Sequence, residues 1–285
     1  MTPVLRLSVF AVALALVFGA AALAGDTVGP DRSGESRADT GSHMSGGDTG
    51  GHSGDGAAPV RGLAVSDDGL TLALESTRLE RGRREELRFS IRGAGGAPVR
   101  DFEVAHEERM HLIVVRRDGR GFQHLHPELA ESGSWSAPVT LPEAGAYRVF
   151  ADFKRDGEAR TLAADLTVNG AAHYRALPEP DVTARAGAGY EVRLDPGRVR
   201  AGREAGLDFA VSRDGRAVDP EPYLGARGHL VALREGDLAF LHVHPDEDSL
   251  AFMAELPTAG RYRLYLQFKH EGRVHTAAFT QRVSR

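Results

Sequence analysis

The chain has 285 residues, a net charge of -5 and no cysteine. Its length suits about two domains, and a mildly negative charge without a basic run gives no reason to expect nucleic acid. Without cysteine there are no disulfides, thiolate metal sites, cysteine nucleophiles or lipidated N-terminal cysteine, so each domain must rest on its own apolar core.

Arg6 precedes an apolar stretch from Leu7 to Ala24 that ends in Ala22-Leu23-Ala24. A positive residue, an apolar run and small residues at a cleavage point read as a secretory signal over residues 1–24, cut before Gly25. The stretch is also just long enough to stay as an uncleaved anchor. Both readings place the rest outside the cytoplasm, secreted or in the cell envelope, and only the second ties it to a membrane. Residues 25–59 are rich in Gly, Ser, Asp and Thr and are expected to be a disordered linker. His43, Met44 and His52 within it read as part of a spacer in preference to a weak copper trap.

From Val60 the pattern is strand, turn, strand. The first module, 60–169, has expected strands at Leu70–Leu79, Glu85–Arg92, Met110–Arg117, Phe122–His126, Ser134–Leu141, Ala146–Lys154 and Arg160–Val168. A joining segment, 170–188, holds Pro178 and Pro180. The second module, 189–285, repeats the order at Tyr190–Leu194, Ala205–Ser212, His229–Arg234, Ala239–His244, Ala251–Leu256, Arg261–Lys269 and Val274–Val283. Short strands at regular turn spacing, with no sustained helical period, predict an all-β chain of two tandem Ig-like or cupredoxin-like antiparallel β-sandwich modules.

One motif occurs in both modules. Residues 109–127 read RMHLIVVRRDGRGFQHLHP and residues 227–245 read RGHLVALREGDLAFLHVHP. His111, His124 and His126 correspond to His229, His242 and His244. Asp118-Gly119 suits a two-residue hairpin turn, which sets His111 opposite His126 and Ile113 opposite His124. Strand side chains alternate with period two, so these residues share a face with Val115 and Phe122. A turn at Gly236-Asp237 does the same for His229 and His244. Each triplet can then converge on one ion at the end of its module's apolar interior, with a fourth ligand from solvent, Glu128 or the Asp101–Glu103 segment, matched by Asp219 and Glu221. All-nitrogen ligation suits copper(II), zinc or nickel, with affinity rising toward copper. The competing reading is structural: duplicated histidines that cap a hairpin, with Pro127 and Pro245 ending the ladder. His106 has Leu224 as its counterpart and reads as a surface residue. Met110, matched by Gly228, is not counted as a ligand. Lys154 and Lys269 read as structural partners of Asp101 and Asp219. His270 and His275, without counterparts, either flank the site or decorate a turn.

Through the paired His-Leu…His-x-His-Pro motifs the chain resembles exported bacterial proteins of actinobacterial type, linked with heavy-metal or copper handling. In general character it is also similar to periplasmic copper-resistance sandwiches, which bind copper with His, Asp and Met near one end of a barrel. It departs from them in lacking a Cys-His-Met set and a methionine-rich loop. The resemblance implies metal binding but does not identify a copper carrier; with the all-nitrogen ligand set, a copper or zinc ion is expected at each triplet, and an envelope transporter or chaperone is the expected partner. No nucleophile elbow, phosphate loop or metalloprotease helix is present, so an enzyme is not expected. A non-catalytic envelope scaffold or adhesion protein with structural histidines is the alternative.

Overall fold

The computed structural model describes residues 60–245 and 249–285, apart from the side chains of His242, His244 and Pro245. The signal and linker expectations, with His43, Met44 and His52, fall outside these residues. Every regular element among the described residues is a strand.

Half-buried strands follow the expected alternation. Trp135–Thr140 and Tyr190–Asp195 bury every second side chain, as a sheet with one solvated face requires. The long strands turn at residues that tolerate positive φ. Asp156 and Gly157 (φ 53° and 79°) join Gly145–Arg155 to Glu158–Val168, and Glu271 and Gly272 (φ 51° and 69°) join Gly260–His270 to Arg273–Val283. Two-residue loops with both φ values positive match the right-handed twist of the flanking strands.

The first module is a sandwich of two sheets. One contains Leu70–Leu74, Arg84–Arg92 and Trp135–Thr140; the other contains Glu158–Val168, Gly145–Arg155, His111–Arg116 and Gln123–Leu125. Leu72, Phe89, Ile91, Leu112, Trp135 and Tyr147 lie between them, all at most 2% exposed. Met110 is also buried in this core. The second module keeps the order, but Phe240–Pro245 pairs with both Gly228–Arg234 and Ala251–Glu255 and so joins its two sheets into one. One departure from antiparallel pairing recurs. Arg78–Leu79 runs parallel to the end of Glu158–Val168, and Arg200 makes a parallel bridge to Ser284.

A third apolar cluster lies between the modules. Ile113, Val115, Phe150 and Ala163 of the first meet Val231, Leu233, Phe240 and Tyr265 of the second. The contacts pair by a pseudo-twofold relation: Phe122 stacks on Tyr265 with centroids 4.0 Å apart, and the equivalent Phe240 meets Phe150 at 5.3 Å. The chain entering the first module crosses this seam as a strap. The Arg61 carbonyl accepts the Phe240 N–H at 3.0 Å, and the Ala64 carbonyl accepts the Ala163 N–H at 2.9 Å. The joining segment is docked as well: Tyr174 Oη accepts the Ala146 N–H, and Arg261 donates to the carbonyls of Leu177 and Pro178.

This arrangement corrects the place expected for the histidine face. Residues 113 and 115 do not line the interior of their own module. All six side chains of His111–Arg116 are buried: Leu112 and Val114 in the sandwich core, Ile113 and Val115 in the seam.

Candidate metal centre

The first hairpin reaches the expected register by an unexpected route. Gly119 N–H donates to the Arg116 carbonyl and Arg116 N–H to the Arg120 carbonyl, both at 2.8 Å. The loop therefore holds three residues, 117–119, closed by Gly119 at φ 73°. An odd loop alone would turn the following strand over. A bulge corrects it: residues 121 and 122 oppose Val115, with Gly121 at φ 63°. Beyond it Ile113 pairs with His124 and Leu112 with Leu125. The second hairpin uses a four-residue loop, with Arg234 N–H donating to the Ala239 carbonyl at 3.0 Å. Its backbone register pairs Val231 with His242, as the expected turn does.

His111, His124 and His126 come together. One nitrogen of each lies within 4.8 Å of those of the other two. Ring centroids are 5.2 Å apart for His111–His124 and His111–His126, and 4.9 Å for His124–His126. Two imidazoles on one tetrahedral ion, at nitrogen–metal distances of about 2.0–2.1 Å, place their centroids about 5 Å apart.

Hydrogen bonds fix which nitrogens can serve. His111 Nε2–H donates to the Ala105 carbonyl at 3.0 Å, and His124 Nδ1–H donates to Gln267 Oε1 at 2.7 Å. An uncharged imidazole carries one N–H, so His111 Nδ1 and His124 Nε2 then hold lone pairs. These two atoms face each other at 3.0 Å, a contact that calls for a cation or a shared proton. His126 Nε2 is buried without a hydrogen-bond partner among the described residues; its Nδ1 stands 3.9 Å from Glu108 Oε1. Burial, then the neighbouring His111 and His126 rings, holds His124 well below the ordinary histidine range against the pull of Gln267, and burial lowers His126. Both favour the neutral ring, the form that binds metal.

Of the second expected triplet, His229, His242 and His244, the structure describes the side chain of His229 alone. His229 is 5% exposed, and its ring lies 6.3 Å from that of His124. Its Nε2–H donates to the Tyr223 carbonyl at 3.0 Å, the counterpart of the His111–Ala105 bond. Gln267, the partner of His124, also belongs to the second module. The side chains of His242 and His244 lie outside the described residues. His106, expected at the surface, is half-buried with its ring 6.2 Å from His111 and 5.7 Å from His229. It takes a positive φ of 51°, as does its counterpart Leu224 at 55°. A conformation shared by both modules but a histidine in only one left no repeat signal to find it by.

The expected fourth ligands are engaged elsewhere. Asp101 binds Arg155 at 2.9 Å, Glu103 binds Lys154 at 3.3 Å, Glu221 faces Lys269 at 3.9 Å, and Asp219 binds Arg227 at 3.2 Å. The lysines are thus structural partners, but of Glu103 and Glu221 in place of Asp101 and Asp219. Glu128 is exposed. His270 and His275 gather around Tyr190 instead: Nδ1 of His270 is 2.7 Å from its hydroxyl, and the His275 ring lies 4.2 Å from the tyrosine ring. Beside the cluster opens a cavity of about 450 Å³, lined among others by His106, Glu108, Arg109, His111, Asp152 and Lys154.

A comparison with curated proteins finds no match. Among solved structures the chain is similar to the Escherichia coli adhesin FdeC, at 14% identity and a TM-score of 0.28, covering 78% of this chain and 66% of that one. It is also similar to Escherichia coli α-2-macroglobulin activated by porcine elastase, at 12% identity and 0.27, covering 75% and 20%. Domains 5–6 of the S-layer protein SbsC match at 12% and 0.23, covering 75% and 97%. Likenesses this loose carry no argument about function. One family matches twice, over residues 64–170 and 184–285, and the chain belongs to it: the family described as a domain of unknown function, DUF8832.

Proposed function

We propose that the protein binds a transition-metal ion, copper or zinc, through His111, His124 and His126, outside the cytoplasm and without catalysing a reaction. The observation that carries this reading is the convergence of one ring nitrogen from each of the three histidines within 4.8 Å, in a cluster where His126 Nε2 is buried with no hydrogen-bond partner among the described residues. A nitrogen without a hydrogen bond in a buried place costs stability unless something occupies it. An ion there would also resolve the facing lone pairs of His111 and His124. All-imidazole ligation places copper first by affinity and zinc next. Tolerance or delivery of the ion, with an envelope transporter or chaperone as partner, is the role we assign it on the secretory signal read in residues 1–24.

A scaffold with structural histidines is the second reading, and one observation favours it: His111 Nδ1 and His124 Nε2 stand at hydrogen-bond distance, 3.0 Å. Turning the Gln267 amide would let its nitrogen donate to His124 Nδ1 and His124 Nε2–H donate to His111 Nδ1, closing a neutral chain. That chain leaves His126 Nε2 unserved.

The test is thermal unfolding of the metal-free full chain with and without Cu²⁺ or Zn²⁺ at neutral pH. An ion that binds only the folded state at a hundred times its Kd adds about 2.7 kcal/mol. The melting temperature should rise for the wild type and not for His126→Ala. Equal curves for the wild type with and without either ion would leave the scaffold reading standing.

A further inference from the structure

We infer that the ion is held jointly by the two modules, with His229 as the fourth protein ligand, so that metal acts as a clasp across the seam. This rests on the metal-binding reading and specifies its site. The first-module triplet is an incomplete shell: three imidazoles leave one tetrahedral position; Asp101 and Glu103 are paired with cations, and the Glu108 carboxylate stands 3.9 Å from His126 Nδ1, beyond bonding distance.

The second module supplies what is missing. His229 stands across the seam, almost fully buried, with its Nε2 tied to the Tyr223 carbonyl. Its Nδ1 is therefore the ligating atom, as in His111. Its centroid lies 6.3 Å from that of His124, about 1 Å beyond the spacing of two imidazoles on one ion, so a side-chain adjustment toward His124 is what the shared site requires. The second module acts on the triplet in another way too. Gln267 accepts from His124 Nδ1 at 2.7 Å and so selects the tautomer that offers Nε2 to the ion. The apolar seam adjoins these contacts: Ile113, which pairs with His124, belongs to it with Phe150, Phe240 and Tyr265.

A shared ion couples two equilibria. Whatever the metal contributes to closing the seam, a closed seam returns as affinity for metal.

Zinc titration by calorimetry on the full chain tests this. The background carries His242→Ala and His244→Ala, so that His229 is the one remaining histidine of the second motif. This background should bind one Zn²⁺ per chain. Adding His229→Ala should weaken it by at least about tenfold, and adding Gln267→Leu instead should weaken it by about 10–100-fold, the usual cost of losing the group that orients a ligating histidine. His270→Ala, whose ring is engaged with the Tyr190 hydroxyl and not with the cluster, should change nothing. Far-UV circular dichroism checks that each variant keeps its strands. Affinities within twofold of the background for both His229→Ala and Gln267→Leu would overturn the shared site and leave a first-module site. A background that binds no zinc would remove the metal-binding reading itself.

Discussion

His124 is the residue on which most of the centre turns, and its titration gives a signature in the metal-free protein. In the unfolded chain it titrates near pH 6.5. In the fold it titrates well below that, and His126 is also lowered. Between the two values the unfolded state binds more protons, so stability rises with pH there and is fully present above about 6.5. Asp118, Asp165 and Asp237 are lowered from carboxylate values and act in a more acidic window. The melting temperature of the metal-free chain should be level above about pH 7 and fall as pH drops below about 6.5, and His124→Gln should make that fall shallower. An identical slope in the variant would show that the ring does not resist protonation. At this scale the sequence was legible where a repeat and a period-two register spoke together, as for His111, His124 and His126. It was silent for His106 and Gln267. The first has Leu224 as its counterpart and the second has Asp152, so neither repeats, and both join the cluster through contacts between modules.

Most strands were readable because alternation and turn residues agree along them; Glu204–Arg213 and Arg273–Val283 extend the expected limits by one residue at an end, whereas the expected strand Leu70–Leu79 breaks into Leu70–Leu74 and Arg78–Leu79, which join different sheets. The first hairpin shows what a local rule misses. Asp118-Gly119 suggests a two-residue turn, and only the compensating bulge at Gly121 keeps the histidines on the expected face. Two-sided burial had a signal that alternation arguments pass over: the runs His-Leu-Ile-Val-Val and His-Leu-Val-Ala-Leu are continuous and apolar, as in strands covered on both faces. The strap before the first module had none, because Arg61 to Ala64 binds through its backbone. Gly62 is its tightest point. It sits at φ +70°, and a Cβ there would come within 2.7 Å of Phe240 Cβ and 2.8 Å of the Phe150 ring. Gly62→Ala should cost roughly 1–3 kcal/mol by overpacking and backbone strain. In a chain of this size that lowers the melting temperature by about 2–4 °C per kcal/mol. A melting temperature equal to the wild type would mean that the strap does not hold the seam.

Two modules that share an apolar seam should unfold together. Phe150 is fully buried and belongs to the seam cluster, not to the core of its own sandwich. Phe150→Ala should therefore cost about 3–5 kcal/mol, drawn from the contact between modules. Differential scanning calorimetry should give one transition for the wild type and two for the variant; a single transition in both would mean that the modules are coupled by other contacts. The pseudo-twofold pairing of Phe122 with Tyr265 and Phe240 with Phe150 is the geometry of an isologous homodimer, here with a covalent tether through the docked segment around Tyr174 and Leu177. A tether that spans its two sites holds them at an effective concentration in the millimolar range. Separate subunits with this interface would come apart on dilution and scatter the histidines between them. Joined in one chain, His124 of the first module and Gln267 and His229 of the second stay assembled at any dilution, so the geometry of the cluster does not depend on the concentration of the protein.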